Sequence, residues 1–459
     1  MRNAVYPVAV VAFALFGCSS NKPPACTAIG CNAPDGGDTD AGPGATFSAT
    51  DLAVAGTGND DVVAAALSPD GRVGIVYYWD SSQTNRDLAY VEYVVATGQL
   101  QHAVTIATGY DRTSDLAITF DDAGASSSAY VAFLGNDPSV NEAIETNGGD
   151  GGVFWHQSDL GVAKVDASGA LSIDWAVHNG TESSPCGNPL DDRDSPVVGL
   201  SPAIAFDGDQ LVVMYRNLHS GQNPIQDYAR TELGSVIGMP GNWTKLTAIC
   251  GSDENNMFVD QGVGAGTSVA ASGGRIVAAT AGEDDIDTTI QGLFIARNDN
   301  GAWDEKEAIF TNPPLATSLS IGPRIVADPA GGFGLAWTDL SASKVYFSHS
   351  DDGQNWEPYS LAFGAGTGGW YPSLAFDSLQ EPAVAYYVCS LEPGVSVGNC
   401  PAEEDELDVS NLKPNGNWTK STIDPEGGSY PTLMFDPSGR MVVVYRSMGG
   451  GIRVAVQSL

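Results

Sequence analysis

Apolar positions along the chain come in short runs, and the runs come in pairs. SPAIAFDGDQLVVMYRN (201–217), YPSLAFDSLQEPAVAYYV (371–388), YPTLMFDPSGRMVVVYRS (430–447) and GPRIVADPAGGFGLAWTD (322–339) each read as a short strand, a tight Asp/Gly/Pro/Ser turn and a second strand ending in an aromatic. Three looser copies keep the outline: VVAAALSPDGRVGIVYYWD (62–80), LAITFDDAGASSSAYVAFLG (116–135) and GTSVAASGGRIVAATAGED (266–284). Aligned on the closing aromatic, the seven copies place Tyr77, Phe133, Tyr215, Thr280, Trp337, Tyr386 and Tyr445 at one position. The interval between copies, about 60 residues, leaves room for two further strands. LAYVEYVV (88–95), GLFIARN (292–298) and KVYFSHS (344–350) supply third strands. A Gly-then-Trp signal opens the fourth in GNWTKLTAI (241–249), GAWDEKEAI (301–309), GQNWEPYSL (353–361) and GNWTKSTI (416–423).

Four antiparallel strands repeated seven times predict an all-β, seven-bladed β-propeller over residues 45–459. Runs such as MVVVY (441–445) lack the alternation of a half-exposed sheet, as expected where blades cover both faces. The last copy ends in GIRVAVQSL without a fourth strand, and TFSATDLAVAG (46–56) is the segment expected to fill that place and close the ring. Six or eight blades are the alternatives, because the long interval between Phe133 and Tyr215 has room for another.

Composition narrows the function classes. The length of 459 residues would by itself suggest three domains, which the repeats overrule. Charged residues make up 17%, yet 56 acids face 20 bases, for a net charge of −36. That balance repels nucleic acid and anionic lipid. The 55 Gly and 26 Pro suit frequent turns, and the predicted state is a monomer.

The first residues carry an address. Arg2 precedes an apolar stretch, Val8 to Phe16, too short to span a bilayer, and Leu15-Phe16-Gly17-Cys18 is followed by two serines. This resembles the lipoprotein box of bacterial outer-membrane lipoproteins. The resemblance implies a signal peptide over 1–17, lipidation of Cys18 and a membrane partner through that anchor, with the side of the outer membrane left open. Residues 18–44, rich in Gly, Pro, Asp and Ser, read as a flexible tether. With Cys18 assigned to lipid, six of the 7 cysteines remain. The pairing expected among the fifteen possible connectivities is Cys26–Cys31, Cys186–Cys250 and Cys389–Cys400.

Candidate chemistry is sparse. HExxH, P-loop, GxSxG and EF-hand patterns are absent, and the five histidines (102, 156, 178, 219 and 349) show no metal-ligand spacing. No cofactor or metal site is expected, although the oxygens of GEDDID (282–287) would suit calcium. HSDDGQNW (349–356) resembles the Asp-box of sialidase-like propellers, with Asp351, Gly353 and Trp356 matching. That resemblance implies a structural turn in which Asp351 accepts backbone N–H bonds and Trp356 packs into the blade. A sialidase would also need three converging arginines. Arg216, Arg324 and Arg446 all fall at the blade ends that share the loop-rich mouth, but the family's F/Y-R-I-P signature is missing from the first blade. Asp80, Asp284 (with Asp285) and Asp339 follow second strands and are the candidate acids for a glycosidase pair. Trp370, Tyr371 and Tyr430 precede inner strands, and Tyr78 and Trp79 end a second strand. As exposed aromatics at the mouth they would suit a glycan or protein ligand. The expected function is a non-catalytic binding scaffold at the cell envelope, with a sialidase-like glycan hydrolase as the alternative.

Overall fold

The structure, a computed structural model, describes residues 45–54, 62–80, 86–110, 114–139, 158–178, 197–220, 228–250, 265–283, 291–311, 322–339, 343–363, 366–390, 400 and 404–458. They form seven four-stranded antiparallel sheets, each with its strands in consecutive order but one. Blades 1 to 6 occupy 63–110, 117–177, 197–250, 265–311, 324–363 and 367–424. Blade 7 takes three strands from 428–457 and its outer strand from Phe47–Asp51, which pairs antiparallel with Ile452–Gln457. The N-terminal strand therefore closes the ring, as the incomplete last repeat predicts. The inner strands of successive blades touch in an unbroken circuit, blade 7 returning to blade 1. That settles the number of blades at seven. Among the described residues no helix is long and apolar enough to cross a membrane.

The continuous apolar runs have a simple cause. Seven buried apolar layers exist, one at each junction between neighbouring blades. Alternate residues of a second strand enter different layers: Leu211, Val213 and Tyr215 face blade 2, while Val212 and Met214 face blade 4. A strand with two buried faces has no polar side to display, and Met441–Ser447 is buried at every position. The closing aromatics are received by small residues on the third strand. Phe133 lies across from Gly161 and Tyr215 from Gly234, where an added Cβ would sit 2.5 Å from either ring.

The fourth-strand tryptophans bind blades together. Trp243 Nε1 donates to Asp174 of the preceding blade at 2.5 Å, Trp303 to Ser235 at 2.8 Å and Trp418 to Ser360 at 3.2 Å. Acids explain much of the charge by capping turns. Asp377 Oδ1 accepts from the Leu379 and Glu381 amides, and Asp436 Oδ1 from those of Ser438 and Arg440.

The box in blade 5 differs from its motif. The turn's amides converge on Asp352, which accepts from Gln354 N at 2.8 Å and Asn355 N at 2.7 Å. Asp351, the motif position, points outward with its side chain 77% exposed. The reason is the adjacent acid: Asp352 stands one residue nearer those amides and takes the cap. Gly353 keeps its role, with φ 73° and an added Cβ meeting Val277 of blade 4 at 2.4 Å. Trp356 packs against the layer between blades 4 and 5.

Candidate functional site

Antiparallel pairing sets the start of each inner strand beside the end of its second strand, so both lie on one face of the ring. At that face the ladder is interrupted in the same way in four blades. Pairing jumps from Leu200 to Ala203, from Ala265 to Ser268, from Trp370 to Ser373 and from Ser429 to Thr432. Each jump is a bulge that turns one residue into the left-handed region: Ser201 (φ 43°), Gly266 (56°), Tyr371 (56°) and Tyr430 (51°). Glycine adopts this backbone freely, but tyrosine does so at a cost of order 1–3 kcal/mol. A proline follows Ser201, Tyr371 and Tyr430 and ends the local pairing by removing an N–H donor. Asp115 in blade 2 and Gly322 in blade 5 fill the equivalent places in the repeat.

These residues form an asymmetric mouth. On the side of blades 6 and 7, the Tyr371 and Tyr430 rings lie 4.6 Å apart at 49°, both half-buried. On the side of blades 2 and 3, Ser201 Oγ donates to Asp115 Oδ2 at 2.9 Å. Blades 4 and 5 approach backbone to backbone, since a Cβ on Gly322 would fall 1.9 Å from the Gly266 carbonyl oxygen. Arg324, at the start of the blade 5 inner strand, is half-buried. Burial pulls its guanidinium below the usual value, opposed by the Asp115 charge. Among the described residues its hydrogen bond runs from Nη1 to the Pro323 carbonyl at 3.3 Å.

Behind the tyrosines, Trp370 packs on Tyr387 with ring centroids 5.5 Å apart. The Tyr387 hydroxyl donates to Asp405 Oδ1 at 2.7 Å, and burial raises the Asp405 carboxyl despite that bond. The Cys389–Cys400 disulfide, Cα atoms 5.0 Å apart, fixes the same corner. Of the other expected cysteine positions, Cys18, Cys26, Cys31, Cys186 and the side chain of Cys250 lie outside the described residues.

The arginine trio is not assembled at an open mouth. Arg216 and Arg446 are 1% and 0% exposed, because second strands are covered by neighbouring blades on both faces; only Arg324 meets solvent. Burial also corrects two expected aromatics, Trp370 at 5% and Tyr78 at 0% exposure, leaving Tyr371, Tyr430 and Trp79 half-buried. Asp339 is 5% exposed at the end of its second strand. Asp284, Asp285 and the Asp80 side chain lie outside the described residues, as does most of the proposed calcium loop. Among the described residues no group of three His, Cys, Asp or Glu side chains could hold a metal. His102 and His349 instead sit beside Glu92 (3.1 Å) and Asp328 (2.9 Å). Asp115, Ser201, Tyr387 and Asp405 were not singled out by sequence reasoning. The signal for the first two was present, in the position before Leu116 and Pro202 at the head of each repeat.

Fold and mouth together define a seven-bladed propeller with a polar and an aromatic wall facing its axis. No family model matches the chain, and no curated protein matches its sequence. Among solved structures, it is similar to a protein of unknown function from Dyadobacter fermentans at 10% identity and TM-score 0.48, covering 91% of this chain and 100% of that one. It is also similar to the α-L-arabinanase of Penicillium chrysogenum complexed with arabinobiose, at 10% identity and TM-score 0.45, covering 87% and 95%. A third is the Trypanosoma rangeli sialidase in complex with the inhibitor DANA, at 12% identity and TM-score 0.41, covering 77% and 56%. At these identities the likeness is one of architecture.

Proposed function

We propose that this chain is an exported, lipid-anchored propeller that binds an acidic glycan at its mouth without turning it over. The observation that carries the reading is the pair Tyr371 and Tyr430, held in left-handed backbone at equivalent bulges. Strain of this kind persists where the surroundings enforce it, and it clusters at ligand sites. The paired rings offer a stacking face for a sugar, and Arg324 offers a fork for its carboxylate. Anchoring rests on Cys18 and the tether that follows it. Two or three acyl chains, each contributing ~0.8 kcal/mol per buried CH₂, would hold the propeller durably at the outer membrane.

The test is a glycan-binding screen run beside hydrolysis assays on the purified chain, with uronic-acid and sialic-acid oligosaccharides included. Saturable binding without product is expected, weakened roughly tenfold or more by Tyr371→Ala and by Arg324→Gln. Release of sugar by the wild-type chain would overturn the non-catalytic reading. Continued membrane association of Cys18→Ala would overturn the anchor.

A further inference from the structure

At its outer strand, blade 1 carries a pocket of about 230 Å³ walled by Tyr77, Trp79, Ala89, Ala103, Val104 and Thr105. Its existence has a local cause. The outer strand Gln99–Tyr110 slips three times against its neighbour, and two of the slips flank 103–105. Pairing jumps from Leu88↔Ala107 to Ala89↔Thr105, and from Tyr90↔Val104 to Glu92↔Gln101. Two of the bulges bracket 103–105, which stays paired through Ala89↔Thr105 and Tyr90↔Val104. Across from it stands Ala89, too small to refill the space.

The second bulge is held deliberately. His102 takes φ 53° and sits against Gly169 of blade 2, where an added Cβ would be 3.2 Å from its ring. Its Nδ1 lies 3.1 Å from Glu92 Oε2, a carboxylate 1% exposed. Arg72 Nη1 donates to both Glu92 oxygens at 3.0 Å, Tyr90 OH donates at 2.9 Å and Gln101 Nε2 at 3.0 Å. Four side chains thus converge on the buried Glu92 and hold the left-handed backbone at His102 beside the pocket.

We infer that this pocket is a second binding site, separate from the mouth, that takes a single pyranose ring. The half-buried Trp79 offers aromatic surface to the C–H side of a sugar, while Tyr77, 7% exposed, packs into the layer between blades 7 and 1. Thr105 is exposed and lines the pocket, so its hydroxyl can meet the sugar's hydroxyl edge. The volume falls below the 300–1,000 Å³ of pockets for drug-sized ligands, which suits one ring.

Saturation-transfer NMR on the full chain provides the test, with the methyl pyranosides of glucose, galactose, mannose and N-acetylglucosamine as probes and cyclohexanol as the apolar control. At least one pyranoside is expected to bind saturably, with saturation strongest on its ring C–H protons. Thr105→Trp fills the pocket from an exposed position and should weaken binding roughly tenfold or more. Trp79→Ala should do the same, its melting curve showing that the ring of blades survives. Tyr371→Ala and Tyr430→Ala should bind the pyranoside as the wild type does, which separates this site from the proposed mouth. Absence of saturable binding, undiminished binding by Thr105→Trp, loss confined to the mouth variants, or equal binding of cyclohexanol would each overturn the inference.

Discussion

Arg453 holds three parts of the closing seam at once. Its Nε reaches Asp51 of the N-terminal strand at 2.6 Å, while Nη1 reaches Asp424 at 2.8 Å and Glu426 at 3.1 Å at the end of blade 6. The three contacts are unequal. Asp51 and Glu426 are each 74% exposed, so water and salt screen them and each contributes ~0.2–1 kcal/mol. Asp424 is 5% exposed, and removing its cation leaves a buried carboxylate, a change that costs ~3–5 kcal/mol when burial is complete. The Tyr445 hydroxyl still donates to Asp424 at 2.6 Å and the arginine itself is 23% exposed, so ~2 kcal/mol is the better figure for that contact. Arg453→Met, which keeps most of the stem, should therefore cost about 3 kcal/mol in all. Unfolding entropy near 2.1 cal/mol/K per residue gives ~0.8 kcal/mol/K for a ring of roughly 400 residues, so the melting temperature should fall by about 4 °C. Scanning calorimetry measures this. Asp51→Ala in parallel should lose about 1 °C, and less still in 1 M salt, where the Debye length is about 3 Å. If Arg453→Met melts with the wild type, or if Asp51→Ala costs as much as Arg453→Met, the seam is not held as described.

Burial pushes the Asp408 carboxyl up to about 6, although Lys420 Nζ lies 2.7 Å away. The folded state then keeps a proton that the unfolded chain releases near pH 4, so stability should fall as pH rises from about 4 to 6. Asp408→Asn should flatten that slope and raise the melting temperature at pH 7, as thermal melts between pH 4 and 8 would show; an unchanged slope refutes the assignment. In the blade 5 box, Asp352→Ala should speed hydrogen exchange at the Gln354 and Asn355 amides, whereas Asp351→Ala should leave both unchanged. The reverse ranking would restore the motif's own assignment. Gly353→Ala should lower the melting temperature whether or not Asp352 is intact, because its Cβ collides with Val277 in a backbone already at φ 73°.

The architecture was legible because a propeller is written as a repeat. Turn chemistry at Asp207, Asp328, Asp377 and Asp436 and the aromatic closing each second strand recur in phase, and phase alone counts blades. Even closure could be read, from a last repeat one strand short. Site residues were harder, and three of the failures share one cause. Arg216, Arg446 and Tyr78 look available in a linear string, but all three sit on second strands covered on both sides. Charge and position along a strand do not say which neighbour covers it. The mouth had a better signal that went unused: residues 201, 322, 371 and 430 all stand before proline at the head of a repeat. Which of them turns left-handed depends on bulges, and those appear only when two strands are paired. The pocket of blade 1 was invisible for the same reason, since register slips leave no mark in composition.

The seam also sets an order of events. Among the described residues Phe47–Asp51 has as its strand partner Ile452–Gln457, about 400 residues further along the chain. Alone it buries almost nothing, with four of its five residues exposed even in the finished ring. A chain cut short of Ile452 would leave two naked strand edges, one on Phe47–Asp51 and one on Met441–Ser447. Pairing of Phe47–Asp51 with Ile452–Gln457 thus works as an inspection step. Whole chains hide both edges in a single pairing, and truncated ones present both to proteases and to one another.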